Sequence, residues 1–79
     1  MPCRVGITTD PTSRRTYWDG RVVGLRDWRI VSQHSTKSAA QQAEMEYARR
    51  SGCVYYPGGS GRPRATWCVY RFTYDRDMG

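Results

Sequence analysis

Val5-Gly6-Ile7-Thr8-Thr9-Asp10-Pro11-Thr12-Ser13-Arg14-Arg15 changes its periodicity halfway along, and that change organises the chain. Up to Thr8, Cys3, Val5 and Ile7 alternate with Arg4, Gly6 and Thr8, the pattern of a strand whose successive side chains point to opposite faces. Asp10 can then cap a helix by accepting a hydrogen bond from a first-turn N–H, and Pro11 gives up a donor that would be unpaired there anyway. The spacing predicts a helix from Pro11 to about Asp19, ending near Gly20. Such a tight corner sets Arg14 about one turn into the helix, where a guanidinium can be held over a fixed anion such as a phosphate. Arg14, Tyr17 and Trp18 share one side of this helix, since positions three and four apart are neighbours. Arg15 leans away from them, four residues before Asp19, the spacing of an exposed ion pair.

Outward from this corner, residues 20 to 27 read as a loop that tucks Val22, Val23 and Leu25 under itself. Trp28 to Ser32 reads as a strand with Trp28 and Ile30 on one face. The polar stretch Gln33-His34-Ser35-Thr36 closes it, with His34 as a solvated loop residue. A second helix is predicted from Lys37 to Arg50, capped by Ser35 or Thr36, with Arg49 and Arg50 at the negative end of its dipole and Gly52 as a left-handed stop. Ala40, Ala43 and Tyr47 form its expected buried stripe. Glu44 lies about 60° from the centre of that stripe, and Glu46 about 100° away on the other side. After a short strand-like run at Cys53 to Tyr56, Pro57 to Arg64 is a glycine-rich loop whose spacing fits neither nucleotide-binding glycine signature. Arg62 and Arg64 there have at most an electrostatic role. Residues 65 to 74 alternate Cys68, Tyr70, Phe72 and Tyr74 with Trp67, Val69, Arg71 and Thr73, predicting the longest strand, paired with the first.

These elements make one α+β domain: a small three-stranded, mainly antiparallel sheet with two helices packed on it. Its 79 residues allow a modest core and one site. Aromatic residues make up 13% of the chain, too many for a disordered basic tail. The net charge is +6, and twelve of the thirteen basic residues are arginine. That bias has two readings: guanidiniums selected to fork onto phosphates, or the codon usage of a GC-rich genome. Cys3, Cys53 and Cys68 are odd in number and widely spaced, with His34 the one histidine, so neither a zinc site nor a disulfide framework is indicated. They read as small buried residues in a reducing cytosol. No apolar run spans a bilayer and no signal-peptide core is present, so a cytoplasmic location without membrane attachment is expected.

The order of these features resembles the GIY-YIG nuclease family. The resemblance covers roughly residues 3 to 52: Val5-Gly6, then Ile7-Thr8-Thr9-Asp10-Pro11, an arginine eight residues after the glycine, a Trp-led strand, and a helix with one inward-leaning glutamate. It implies DNA phosphodiester cleavage on a three-stranded sheet flanked by helices. Gly6 falls at the glycine of the second motif, Arg14 at the arginine, and Glu44 at the glutamate that holds one divalent ion, Mg²⁺ or Mn²⁺. Arg4 replaces the second motif's tyrosine, and the first motif's strand is absent ahead of Cys3. Trp67-Cys68-Val69-Tyr70 can fill the vacant place beside the first strand, which makes the chain a circular permutation with Tyr70 in the position of a family tyrosine.

In this scheme the metal on Glu44 and the guanidinium of Arg14 take up charge on the phosphate, and Tyr70, or Tyr17 on the first helix, handles the proton. The second scheme is a non-catalytic derivative that binds nucleic acid or a protein partner through Arg4, Arg14, Arg15, Arg62, Arg64 and exposed aromatic residues. Retention of Arg14 and Glu44 favours hydrolysis, whereas Arg4 in place of tyrosine favours binding. A homodimer that completes the site across two copies is compatible with either.

Overall fold

The computed structural model describes residues 2–55, 62 and 65–78, and in chain order it begins with the strand and helix of the opening corner. Strand β1 (Cys3–Thr8) leads into helix α1 (Pro11–Asp19), then β2 (Val22–Val23), β3 (Arg26–His34), α2 (Lys37–Ser51), β4 (Val54–Tyr55), β5 (Trp67–Thr73) and β6 (Arg76–Asp77). The capping chemistry fixes both helices. The Asp10 carboxylate accepts from the Ser13 N–H at 3.1 Å and from the Ser13 hydroxyl at 2.9 Å, which holds its pKa below the usual carboxylate value. Thr36 caps α2 through the Ala39 N–H at 3.1 Å, and Gly52 ends it in the left-handed conformation at φ 78°.

The main sheet has four strands in the order β3-β5-β1-β4, rather than the three expected, and it is mixed. β5 runs antiparallel to β1 from Cys3↔Thr73 to Thr8↔Cys68, so the closing strand does lie beside the opening one. The added strand, β4, is parallel to β1 through Arg4↔Val54 and Val5↔Tyr55. β3 is antiparallel to β5 and, at nine residues against seven, is the longer of the two. It extends beyond Trp28–Ser32 because its pairing absorbs two register shifts, the first beside Asp27, which takes φ 55°. His34 is therefore the last residue of a strand, opposite Trp67, with Nε2 2.9 Å from the Ser32 hydroxyl. Ile30 remains exposed instead of joining Trp28 in the packed layer. The stretch read as a loop over residues 20 to 27 contains β2, which pairs with β6 in a separate two-stranded ribbon.

Alternation along β1 and β5 divides the core in two. On one side Val5, Ile7, Trp67 and Val69 pack with Cys53 and with Ala40 of α2. On the other, Tyr70, Phe72 and Tyr74 pack with Val22, Trp18, Leu25 and Trp28. The buried stripe of α2 is Ala40, Glu44 and Ala48, rotated from the expected Ala40, Ala43 and Tyr47; Ala43 and Tyr47 flank it as partly buried residues. Small alanines one turn either side of Glu44 let the helix sit close on the sheet and carry the carboxyl inward with it.

Cys3 and Cys53 form a disulfide, which corrects the reading of all three cysteines as free thiols. Parallel pairing of β1 with β4 brings the residues just ahead of each register pair together, with Cα atoms 4.8 Å apart. Cys68 is free and buried, and burial pushes its thiol pKa up. A disulfide of this kind persists in oxidising surroundings, so the cysteines carry no argument for a reducing compartment. Among the described residues no helix is long and apolar enough to cross a membrane.

Candidate functional site

Helix α1 has no fully buried residue, and Trp18 is the side chain it packs against the aromatic core. The Trp18 indole Nε1–H donates to the Tyr70 hydroxyl oxygen at 2.8 Å, and its ring lies 5.4 Å from that of Phe72. Trp28 stacks on Tyr70 from the β3 side, with centroids 4.7 Å apart. Tyr70 faces Gly6 in register, and a Cβ on Gly6 would collide with the Tyr70 hydroxyl and ring. Glycine at this position is thus a packing requirement of the tyrosine opposite. Burial raises the Tyr70 pKa, with the Glu44 carboxyl adding to the rise and the Trp18 N–H and the positive charges of Arg14 and Arg4 offsetting part of it.

Above this aromatic floor lies a cleft of about 380 Å³ lined by Arg4, Arg14, Tyr17, Trp18, Arg21 and Asp77. Arg4 projects from β1 and is only 6% exposed, with its guanidinium 4.5 Å from the Trp18 ring centroid and 3.9 Å from the Asp77 carboxylate. Arg14 and Arg21 both approach the Tyr17 ring, at 4.7 and 5.1 Å, and Tyr17 is 43% exposed. Tyr17 and Trp18 meet edge to face at 5.2 Å. Guanidiniums held over aromatic faces are pre-oriented while their N–H groups remain donors, which reduces the ordering cost of binding an anion. Three such groups and one carboxylate give the cleft a net positive lining.

Of the residues predicted for a site, Arg4, Arg14 and Tyr17 line this cleft, while Tyr70, packed on Gly6, supports it from behind through its bond to Trp18. Arg15 is exposed and outside it, and the expected Arg15–Asp19 ion pair does not form, since an exposed pair gains little against the entropy of holding two side chains. Arg62 is exposed at the β1–α1 corner, where its backbone N–H donates to the Thr9 hydroxyl at 3.1 Å; Arg64 lies outside the described residues. Glu44 is carried by α2 and does not line the cleft. It is 1% exposed, its Oε2 has no hydrogen-bond partner, and burial pushes its pKa up to about 7. Among the described residues no three His, Cys, Asp or Glu side chains come together. A Mg²⁺ or Mn²⁺ ion needs several oxygen ligands with water among them. A lone carboxyl packed between alanines does not fit such an ion.

Set against family models, curated proteins and solved structures, the chain matches none.

Two cleft residues escaped the sequence reading. Arg21 had a signal: residues 14, 17, 18 and 21 continue one helical stripe past the end of α1, where the chain makes a further turn through the Arg21 N–H to Trp18 carbonyl bond at 2.9 Å. Asp77 had none, because its place depends on the long-range pairing of β6 with β2, opposite Val22.

Proposed function

We propose that this domain binds nucleic acid by its backbone phosphates at the Arg4, Arg14 and Arg21 cleft, as a non-catalytic derivative of the GIY-YIG scaffold. The observation that carries the reading is the convergence of three guanidiniums, two over Tyr17 and one over Trp18, on one open cleft. Arginine forks match the paired oxygens of a phosphate, and phosphate contacts of this kind position a strand without reading its bases. The chain's +6 charge adds long-range attraction to a polyanion. Of the positions that the family resemblance singles out, Arg14 lines the cleft, and Tyr70 supports it by accepting from the Trp18 indole. The carboxyl that hydrolysis would require, Glu44, is buried on α2 and is not among the residues lining the cleft.

The test is fluorescence anisotropy with labelled oligonucleotides over a salt series, with and without Mg²⁺. Affinity falls steeply as salt rises. Arg14→Ala and Arg21→Ala each weaken binding and flatten the logarithmic salt slope by about 0.7 for a single strand. Glu44→Gln leaves binding unchanged. Absence of salt-dependent binding refutes the proposal, and strand cleavage in Mg²⁺ or Mn²⁺ that Glu44→Ala abolishes would put hydrolysis in its place.

A further inference from the structure

The register of β3 on β5 sets two like charges against each other. Arg29 stands directly opposite Arg71, between the two register shifts of that strand pair. Opposite residues project from the same side of a sheet, with Cβ atoms about 5 Å apart. Arg71 alternates with Tyr70 and Phe72 and is itself opposite Val5, so both arginines project from the side on which Val5 and Val69 pack with Ala40, the reverse of the aromatic side. Neither is neutralised there. Among the described residues no carboxylate forms an ion pair with Arg29 or Arg71; Asp27, two residues ahead of Arg29, instead accepts from the Thr73 hydroxyl at 3.3 Å. The Arg71 Nε is buried with no hydrogen-bond partner, whereas Arg29 is exposed.

Each feature is unfavourable by itself: like charges across a strand pair repel, and a buried donor without an acceptor has given up its hydration for nothing. One bound anion offsets both. We infer that Arg29 and Arg71 form a second anion site, separate from the cleft, that takes a dianionic phosphate, either inorganic phosphate or the phosphate group of a monoester. Charge and acceptor number select this ligand class. A carboxylate offers two oxygens, which one guanidinium fork already matches, and its single charge leaves the other arginine uncompensated. A backbone phosphodiester likewise carries one charge. A monoester phosphate carries close to two charges at neutral pH and three outer oxygens, enough for both forks and for the Arg71 Nε–H. Exposed Arg29 leaves the site open to solvent on one side, so an ester group can point outward. The inference is independent of the nucleic-acid reading, since no residue of the cleft takes part.

The experiment follows the Arg71 Nε–H resonance of ¹⁵N-labelled protein during titration with inorganic phosphate, methyl phosphate and dimethyl phosphate, each at constant ionic strength balanced with sodium chloride. Inorganic and methyl phosphate move the resonance saturably, and dimethyl phosphate binds about 10-fold more weakly, the value of one charge-assisted hydrogen bond. Arg29→Ala weakens phosphate binding by about 10-fold, and Arg29→Lys, which keeps the charge without the fork, falls between. Arg14→Ala, which impairs the cleft, leaves the Arg71 response as it is in wild type. Thermal unfolding gives a second readout: phosphate raises the melting temperature of wild type more than that of Arg29→Ala. Saturation by inorganic phosphate but not by methyl phosphate supports the site and makes free phosphate its source. No saturable response of the Arg71 Nε–H to inorganic phosphate, as when a water satisfies it, or a response that Arg29→Ala leaves intact, overturns the inference and spares the nucleic-acid reading, which the oligonucleotide salt series tests separately.

Discussion

The two faces of the sheet handle ionisable side chains in opposite ways. Under α2, whose Ala40 packs with Val5, Ile7 and Val69, a glutamate is sealed between alanines without a hydrogen-bond partner for one of its oxygens. Under α1 the arginines lie over tryptophan and tyrosine rings at the edge of an open cleft. Burial alone makes the charged form of Glu44 expensive, whereas the cleft arginines keep their charge because aromatic faces and solvent both stabilise a guanidinium. The closed face holds the fold together, and the open face is where a nucleic acid can be met.

The largest expected effect breaks the closed face. The Cys3–Cys53 bond closes a loop with a sequence separation of 50 residues, and Cys53 belongs to the α2-side core. Replacing both cysteines by serine is expected to lower unfolding stability by about 4 kcal/mol on the loop-entropy relation. Urea denaturation of the variant beside wild type, each with and without reductant, measures it. A reductant-insensitive wild type with an unchanged midpoint would show that the staple contributes nothing.

A smaller effect concerns Glu44. Its pKa is raised from 4.5 to about 7, so between these values the folded chain binds more protons than the unfolded one. The stabilisation that this proton provides is complete below about pH 4.5 and is lost as pH rises through 7. The loss amounts to roughly 3 kcal/mol at most. Asp10 works in the opposite sense: its lowered pKa contributes stability at neutral pH that is lost on acidification. Glu44→Gln should therefore flatten the stability profile between pH 5 and 8 while leaving the acid limb in place. A wild-type profile with no decline over that range would contradict the burial of a protonated Glu44.

The contrast between the faces also explains how far the sequence could be read. Local chemistry announced both helices: Asp10-Pro11 and Thr36 start them, and Gly52 stops the second. Alternation over residues 3 to 8 and 67 to 74 was strong enough to foretell the pairing of the two ends of the chain. Arg14, Tyr17 and Trp18 were legible as one side of a helix, and they do share a cleft. Apart from the Arg15–Asp19 pair, the failures trace to packing and pairing that no short window decides. The parallel strand β4 and the disulfide beside it depend on a register that no short window contains. The rotation of α2 that buries Glu44 follows from alanines that are too small to dictate which side packs, so the apolar stripe at Ala43 and Tyr47 misplaced its centre. Asp77 enters the cleft only through a two-residue ribbon whose strands are more than fifty residues apart in the chain.

Trp18 and Trp67 provide the most direct test of the claim that nucleic acid meets one face only. Trp18 Nε1–H is part of the cleft and bonds to Tyr70, whereas Trp67 Nε1 is buried in the α2-side half of the sheet. Titration of ¹⁵N-labelled protein with a short single-stranded oligonucleotide, followed by indole N–H resonances, reports both at once. The cleft account requires the Trp18 signal to move progressively to saturation, with the Trp67 signal stationary and the titration shifted to higher oligonucleotide concentration in Arg14→Ala. A shift confined to Trp67, or saturable binding that leaves Trp18 untouched, would contradict it.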